Sequence, residues 1–151
     1  MKINLEINNK SKSPLTKAFL NEIVKKTLSE VDWDFLQKKA ISLSLALVKK
    51  AEMRAINKKY RQVDAVTDIL SFAEYKDEKE MKKSKEKELF LGELILCYDD
   101  IKEYAKREKL NLKEESVRVV SHGVLHLLGM PHGKKMFAIQ GKVAKNNFFK
   151  K

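Results

Sequence analysis

The sequence is poor in the residues that build disulfide-bonded or membrane proteins. Cys97 is the one cysteine, so no disulfide can form within the chain and a reducing compartment is favoured. No stretch approaches the roughly 18–20 apolar residues of a membrane span, and residues 1–10 lack the apolar block of a signal peptide. These absences predict a cytoplasmic protein that does not associate with a membrane.

Residues typical of flexible linkers are scarce too. The chain has 2 prolines and 5 glycines in 151 residues, and no repeat or linker-like segment divides it. A domain of this size buries roughly 68–70% of its unfolded surface, and the 43% of hydrophobic residues are enough for one core. We expect a single domain over residues 1–151, and a monomer.

Positive charge is the main compositional excess. The formal net charge is +11, with 32 basic against 21 acidic residues. Such a charge attracts polyanions, including nucleic acid, although a Lys- and Glu-rich composition also arises with high growth temperature or an AT-rich genome. Residues 76–88, KDEKEMKKSKEKE, are almost entirely charged. This composition predicts a solvated, mobile hairpin loop.

Hydrophobic patterning predicts four strands. Residues 2–8 and 41–48 alternate apolar with polar or small side chains, as in strands with one buried face. Residues 67–75 and 89–98 are short apolar segments rich in strand-forming residues.

Helical spacing of apolar residues predicts helices between and after these strands. One is expected to begin at Ser13 and Pro14, one to span residues 50–61, and one to be capped by Asp99. A further helix should begin at Asn111, which has Glu114 three positions later. The tail predicts a weaker helix, interrupted by Gly141 and docked through Met136, Phe137 and Ile139. The order implies an α+β fold, in which helices cover a small mixed four-stranded sheet and one central helix is buried.

All three histidines lie within HGVLHLLGMPH, residues 122–132. His122 and His126 are about 40° apart around a helix, on the side opposite the apolar stripe that contains Val124. Gly129 and Pro131 can end the helix and reverse the chain, which would bring His132 back toward the pair.

This spacing is typical of a metal site. Imidazoles at positions i and i+4 can both bind one ion, and three nitrogen ligands suit Zn²⁺ with a fourth position open. Nickel, copper or iron would also be accepted. Any one of these histidines alone would more simply be an ordinary core or surface residue, but their shared helix face favours a common ion.

The motif resembles H-G-x-L-H-L-x-G-x-D-H of the bacterial YbeY endoribonucleases. Residues 52–72, EMRAINKKYRQVDAVTDILSF, are similar to that family's M-x-x-L-N-x-x-Y-R-x-x-D-x-P-T-D-V-L-S-F segment, and LGELIL, residues 91–96, is similar to its L-G-D-I motif. Two positions depart from the pattern: Val66 replaces a usual Pro, and Pro131 replaces the Asp beside the third histidine. The second change removes a carboxylate that could orient a ligand.

The resemblance implies a zincin-like fold and a metal-dependent endoribonuclease that acts on single-stranded RNA. It further implies a role in maturing the 3′ end of small-subunit ribosomal RNA and in ribosome quality control, with small-subunit ribosomal proteins and an assembly GTPase as partners. His122, His126 and His132 match the metal ligands, and Arg61 matches an arginine implicated in activity. Bound Zn²⁺ would acidify a water molecule and stabilise an oxyanion, while Arg61 would bind phosphate oxygens.

Several alternatives remain at the level of sequence. Arg61 could instead pair with Asp64 or Asp68, and Asp64 could be structural or could position Arg61. Zinc proteases of the zincin type also place two histidines one turn apart, but they have Glu where this chain has Gly123. A non-catalytic RNA-binding assembly factor, with a purely structural metal, is the third alternative. The general base, and whether water or the RNA 2′-hydroxyl attacks, stay open.

Overall fold

The computed structural model describes residues 1–145, and its centre is a four-stranded mixed sheet. The strands are β1 (Ile3–Asn9), β2 (Ala40–Leu47), β3 (Ile69–Ala73) and β4 (Glu88–Leu96). Their order across the sheet is β1-β2-β4-β3. The pairs β1–β2 and β2–β4 are parallel, whereas β3 runs antiparallel to β4. All four predicted strands are therefore confirmed.

Seven helices accompany the sheet within residues 1–145. They are α1 (Lys17–Ser29), α2 (Asp34–Gln37), α3 (Lys50–Arg61), α4 (Glu78–Lys82), α5 (Tyr98–Arg107), α6 (Leu112–Leu127) and α7 (Lys134–Ala144). The predicted α+β fold, with a small mixed sheet in a single domain, is confirmed. Within the described part of the chain, no helix has both the length and the apolar character needed to cross a membrane.

The two faces of the sheet are buried to different extents. One face packs against α1 and α6, with α7 packed on these two helices, and forms the main core; Leu43, Leu45, Leu91 and Leu94 are at most 1% exposed. The other face has a smaller cluster made by five buried residues: Val48, Met53, Leu70, Ile95 and Cys97. Ten of the 16 residues of α6 are buried, as predicted for the central helix.

The helix starts were predicted with mixed success. Asn111 caps α6 as expected, because its Oδ1 accepts a hydrogen bond from the N–H of Glu114 at 2.9 Å. The prediction that Ser13 begins the first helix was wrong. Thr16 caps α1 through Oγ1, which accepts from the N–H of Phe19 at 3.1 Å. Asp99 is likewise not a cap but lies in the first turn of α5, where a carboxylate favours the helix dipole.

Residues 76–88 are not a solvated loop throughout. They contain α4, whose cap is Asp77; its Oδ1 accepts from the N–H of Glu80 at 2.9 Å. Met81 is fully buried in the main core. A single apolar side chain in a charged run is thus enough to anchor the segment, since burying a Met stabilises the fold by about 1.5–3 kcal/mol.

The tail helix is more regular than predicted. Helix α7 continues through Gly141 without interruption. Met136 and Ile139 dock it as expected, but Phe137 is 52% exposed and does not. Tertiary packing on one side of the helix offsets the cost of about 1 kcal/mol for an internal glycine. The predicted tail also included residues 146–150, which lie outside the described residues.

Candidate metal centre

Helix α6 places two histidines at the boundary between core and solvent. Val117, Val120 and Val124 are fully buried and fix the rotation of the helix against the sheet and α1. His122 and His126 lie away from this stripe and are half-buried. The packing of the apolar face therefore decides where the imidazoles point, as an amphipathic helix requires.

Gly123 allows α6 to approach the sheet closely next to His122. A Cβ at this position would lie 2.4 Å from Cδ1 of Ile69 and 3.0 Å from Cδ2 of Leu94. A glutamate here would have to enter the packed interface with β3 and β4. The zincin general base therefore has no place in this helix, for a steric reason that the sequence comparison alone did not supply.

A left-handed turn at Gly129 ends α6 and reverses the chain. Gly129 has φ +73°, its N–H donates to the carbonyl of His126, and the N–H of Met130 donates to the carbonyl of Leu125. This pair of bonds is the Schellman motif, which favours glycine. A Cβ on Gly129 would also lie 2.5 Å from the backbone oxygen of Lys76. The predicted reversal is present.

The three imidazoles converge through the same ring nitrogen. Nε2 of His126 lies 2.9 Å from Nε2 of His122 and 2.8 Å from Nε2 of His132. One ligand nitrogen from each ring lies within 4.8 Å of the others. Nitrogens bound to one tetrahedral zinc at 2.0–2.1 Å are about 3.3 Å apart, so shifts of about half an ångström would admit the ion. The donor set fits a divalent transition metal.

The surroundings of His126 favour the neutral form that binds metal. Burial lowers the pKa of His126, and the neighbouring His122 and His132 lower it further. Nδ1 of His122 is hydrogen-bonded to Oε1 of Gln140, on α7, at 2.9 Å. His132, on the turn, is exposed. The pair on α6 is thus fixed by packing, and the third ring reaches it from the turn.

Arg61, the last residue of α3, borders the same site. Its Nη2 donates to the carbonyl of Ser71 at 2.7 Å, and its guanidinium lies 4.6 Å from the ring centroid of Phe72. Together with His122 and His126 it lines a cavity of about 450 Å³.

The alternative that Arg61 is neutralised by a nearby aspartate is not supported. Asp64 instead accepts a hydrogen bond from Nε of Arg54 at 2.7 Å. Asp68 Oδ1 accepts from the N–H of Ile69 at 2.7 Å. Within residues 1–145, Arg61 forms no ion pair with a carboxylate, so its guanidinium at the cavity is not neutralised by a bonded partner.

A second cavity, of about 270 Å³, borders His122 on the side of Gln140. Three carboxylates line it: Asp68, Asp100 and Glu115. Burial raises the pKa of both Asp100 and Glu115, and Asp68 raises both further. Glu115 is a carboxylate of the same helix as His122 and His126, seven residues before His122 and about 10 Å away along the helix axis.

The structure thus brings His122, His126, His132 and Arg61 together around one open region. Sequence reasoning missed Gln140 and Glu115. Gln140 stands in a segment with weak patterning, so nothing local indicated its contact. Glu115 could have been found, since seven residues are close to two helical turns and place it on the histidine side of α6.

Comparisons with known proteins identify the family of this chain. Residues 6–147 match the family model for Endoribonuclease YbeY. The chain is 36% identical over 147 residues to the Endoribonuclease YbeY of Sulfurihydrogenibium sp., covering 93% of this chain and 88% of that protein. It is 31% identical over 150 residues to that of Persephonella marina, covering 95% and 90%.

A solution structure of a Thermotoga maritima protein shares the fold. The TM-score is 0.62 at 23% identity, and the match covers 95% of this chain and 87% of that one. The family model matches nearly the whole chain, and relatives that are 31–36% identical over at least 88% of their own length have the same family name. The chain belongs to the YbeY endoribonuclease family.

Proposed function

We propose that the protein is a zinc-dependent endoribonuclease that cleaves single-stranded RNA. The observation that supports this most directly is the convergence of three Nε2 atoms beside the cavity lined by Arg61. Zn²⁺ is the proposed ion, with Ni²⁺ as the alternative, and His122, His126 and His132 are its proposed ligands. The whole chain, residues 1–151, would be one metal-dependent hydrolase domain.

The chain supplies binding and electrostatic stabilisation around the ion. When bound, the ion would supply Lewis-acid chemistry and an acidified water. The Ser71 carbonyl and the Phe72 ring hold the Arg61 guanidinium at the wall of the cavity, where its remaining N–H donors are available to a substrate. A planar fork of donors suits two phosphate oxygens, and stabilises the charge that develops on them.

The positive charge of the chain supports an RNA substrate. A net charge of +11 raises the local concentration of a polyanion and its rate of association. We propose that the substrate is small-subunit ribosomal RNA at its 3′ end, in ribosome maturation and quality control in the cytoplasm. Small-subunit ribosomal proteins and an assembly GTPase are the proposed partners of the monomer.

The test compares metal content and RNA cleavage in the wild type, His126→Ala and a control, Lys113→Ala. Lys113 is an exposed residue of the same helix, remote from the histidines. We expect about one equivalent of metal in the wild type and in the control, and cleavage of single-stranded RNA by both. His126→Ala should lose metal and cleavage together while keeping its circular dichroism spectrum.

Chelation separates catalysis from a structural role of the metal. We expect a chelator to abolish cleavage but to leave the fold and RNA binding, with activity restored by added Zn²⁺. Unfolding on chelation would favour the non-catalytic assembly factor. Metal content that His126→Ala leaves unchanged, or cleavage that persists without metal, would refute the proposal. Products with a 5′-phosphate would indicate attack by water, and a cyclic phosphate would indicate the 2′-hydroxyl.

A further inference from the structure

Gln140 is a buried polar residue whose side chain reaches the histidine cluster from another helix. It is 7% exposed, and its Oε1 lies 2.9 Å from Nδ1 of His122. Helix α7 holds it there through Met136, Ile139 and Val143, which are at most 8% exposed. A buried amide at this position is costly unless it is hydrogen-bonded, and the contact with His122 provides that bond.

The contact has a chemical consequence for His122. A neutral imidazole has its proton on either Nδ1 or Nε2, and the nitrogen without the proton is the one that can bind a metal. All three rings converge through Nε2. To bind a metal through Nε2, His122 must therefore hold its proton on Nδ1, where Oε1 of Gln140 can accept it. Within residues 1–145, Nδ1 of His126 and of His132 has no such partner.

We propose that Gln140 is a positioning residue that holds His122 in the Nδ1–H tautomer, with the Nε2 lone pair directed at the shared centre of the three rings. This proposal deepens, and rests on, the proposed metal-dependent function. The acceptor would raise metal affinity by fixing both the tautomer and the ring orientation of one ligand.

Helix α7 is therefore part of the proposed site. The turn after Gly129 contains His132, and Gln140 lies eight residues later on α7, where its side chain contacts His122. The neighbour of the third histidine is Pro131, whose side chain can accept no hydrogen bond. The side chain that orients a ligand is thus Gln140 of α7, which acts on His122. Pro131, in the turn, cannot play this part for His132.

The decisive experiment measures the His122 tautomer by ¹⁵N NMR in metal-free protein at about pH 8.5, where imidazoles are neutral. We expect the wild type to have its proton on Nδ1. Gln140→Met keeps the length of the side chain but removes the acceptor, so the Nε2–H tautomer should gain population. Gln140→Glu keeps an acceptor and should restore Nδ1–H. Val143→Ala, which loosens α7 without touching His122, should leave the tautomer unchanged.

A second measurement is the Zn²⁺ dissociation constant by competition with a chelator. We expect it to rise roughly 10–100-fold in Gln140→Met and to stay within a few-fold of the wild type in Gln140→Glu and Val143→Ala. The proposal is overturned if the tautomer of Gln140→Met is that of the wild type, or if Gln140→Glu fails to restore it. It is also overturned if Val143→Ala weakens Zn²⁺ binding as much as Gln140→Met. If the wild type binds no metal, the proposed function fails, yet the tautomer still tests the role of Gln140.

Discussion

Two cavities border His122, and they differ in formal charge and in pairing: Arg61 and Asp68 balance in the first, whereas carboxylates are in excess in the second. The first is lined by Arg61, whose guanidinium has no carboxylate partner within the described residues. The second has Asp68, Asp100 and Glu115 facing the exposed arginines Arg107 and Arg118. Formal charges in the second cavity therefore sum to about −1, and its two most buried carboxylates have a raised pKa.

The difference indicates where a phosphate would bind. An RNA phosphate in the second cavity would lie close to carboxylates whose charged form is already disfavoured by burial. The repulsion between the two negative charges would weaken binding there. The first cavity presents N–H donors held in place by Ser71 and Phe72. The same ring, His122, thus has a side suited to an anion and a side that disfavours one. Asp68 belongs to both cavities and marks the division.

The largest expected effect comes from removing the donor of the first cavity. Arg61→Ala should lower kcat/KM for single-stranded RNA roughly 100-fold, because a directed donor to the developing charge is lost. Arg61→Lys should recover only part of this, since an ammonium lacks the planar fork. Arg107→Ala, in the second cavity, should change cleavage only a few-fold. Steady-state kinetics with a labelled oligonucleotide measures all three.

The matched control for this prediction is Arg54→Ala. Arg54 is also an exposed arginine of α3, but it pairs with Asp64 at 2.7 Å outside the cavity. It should retain cleavage within a few-fold. An Arg107→Ala variant more impaired than Arg61→Ala would reverse the comparison and assign the phosphate to the second cavity.

Local sequence patterns were sufficient to predict the elements that line the first cavity. Helix α3 was predicted over residues 50–61 and found as Lys50–Arg61, and the strand that follows was predicted over residues 67–75 and found as Ile69–Ala73. The histidine spacing and the Gly129 turn depend on residues close together in the chain. Such features follow from helix periodicity and capping, which do not require knowledge of the tertiary fold.

The second side of the site depends on contacts between distant segments. Gln140 meets His122 only because α7 packs back on α6, and Asp100 reaches the cavity from α5. No periodicity encodes these contacts. Met81 shows the same limit, since the charge around it predicted solvent while its own side chain is buried in the core. The composition of a segment predicts its average exposure, but it does not predict which single side chain in it is buried.

A smaller effect is expected on stability, from the buried carboxylate of the second cavity. Burial raises the pKa of Glu115, and Arg118, with Nε 3.6 Å from Oε1, offsets this only in part. Because the pKa of Glu115 is higher in the folded state than in the unfolded state, folding favours the protonated carboxyl. Its contribution to the free energy of unfolding is fully present below the unfolded-state pKa and is lost as the pH rises through the folded-state pKa. Glu115→Gln should therefore stabilise the protein by about 1 kcal/mol at neutral pH, and by less in acid.

Urea unfolding of the wild type and of Glu115→Gln, from acidic to neutral pH, measures this difference in the free energy of unfolding. Glu114→Gln is the control, because it also removes a negative charge from the first turn of α6 but at a less buried position. It should destabilise by a few tenths of a kcal/mol through the helix dipole. Equal changes in the two variants would mean that burial of Glu115 has no influence.

The smallest effect concerns Asp68, the carboxylate shared by the two cavities. Asp68→Asn should lower the pKa of Asp100 and of Glu115, since a neutral amide no longer disfavours their charged forms. Asparagine can still accept from the N–H of Ile69, so the local backbone contact is retained. Carboxyl ¹³C NMR titration of metal-free protein measures both groups, with Asp99→Asn as the control that should leave them unchanged. Unaltered titrations in Asp68→Asn would show that the two cavities are electrostatically independent, and that the division between them is steric alone.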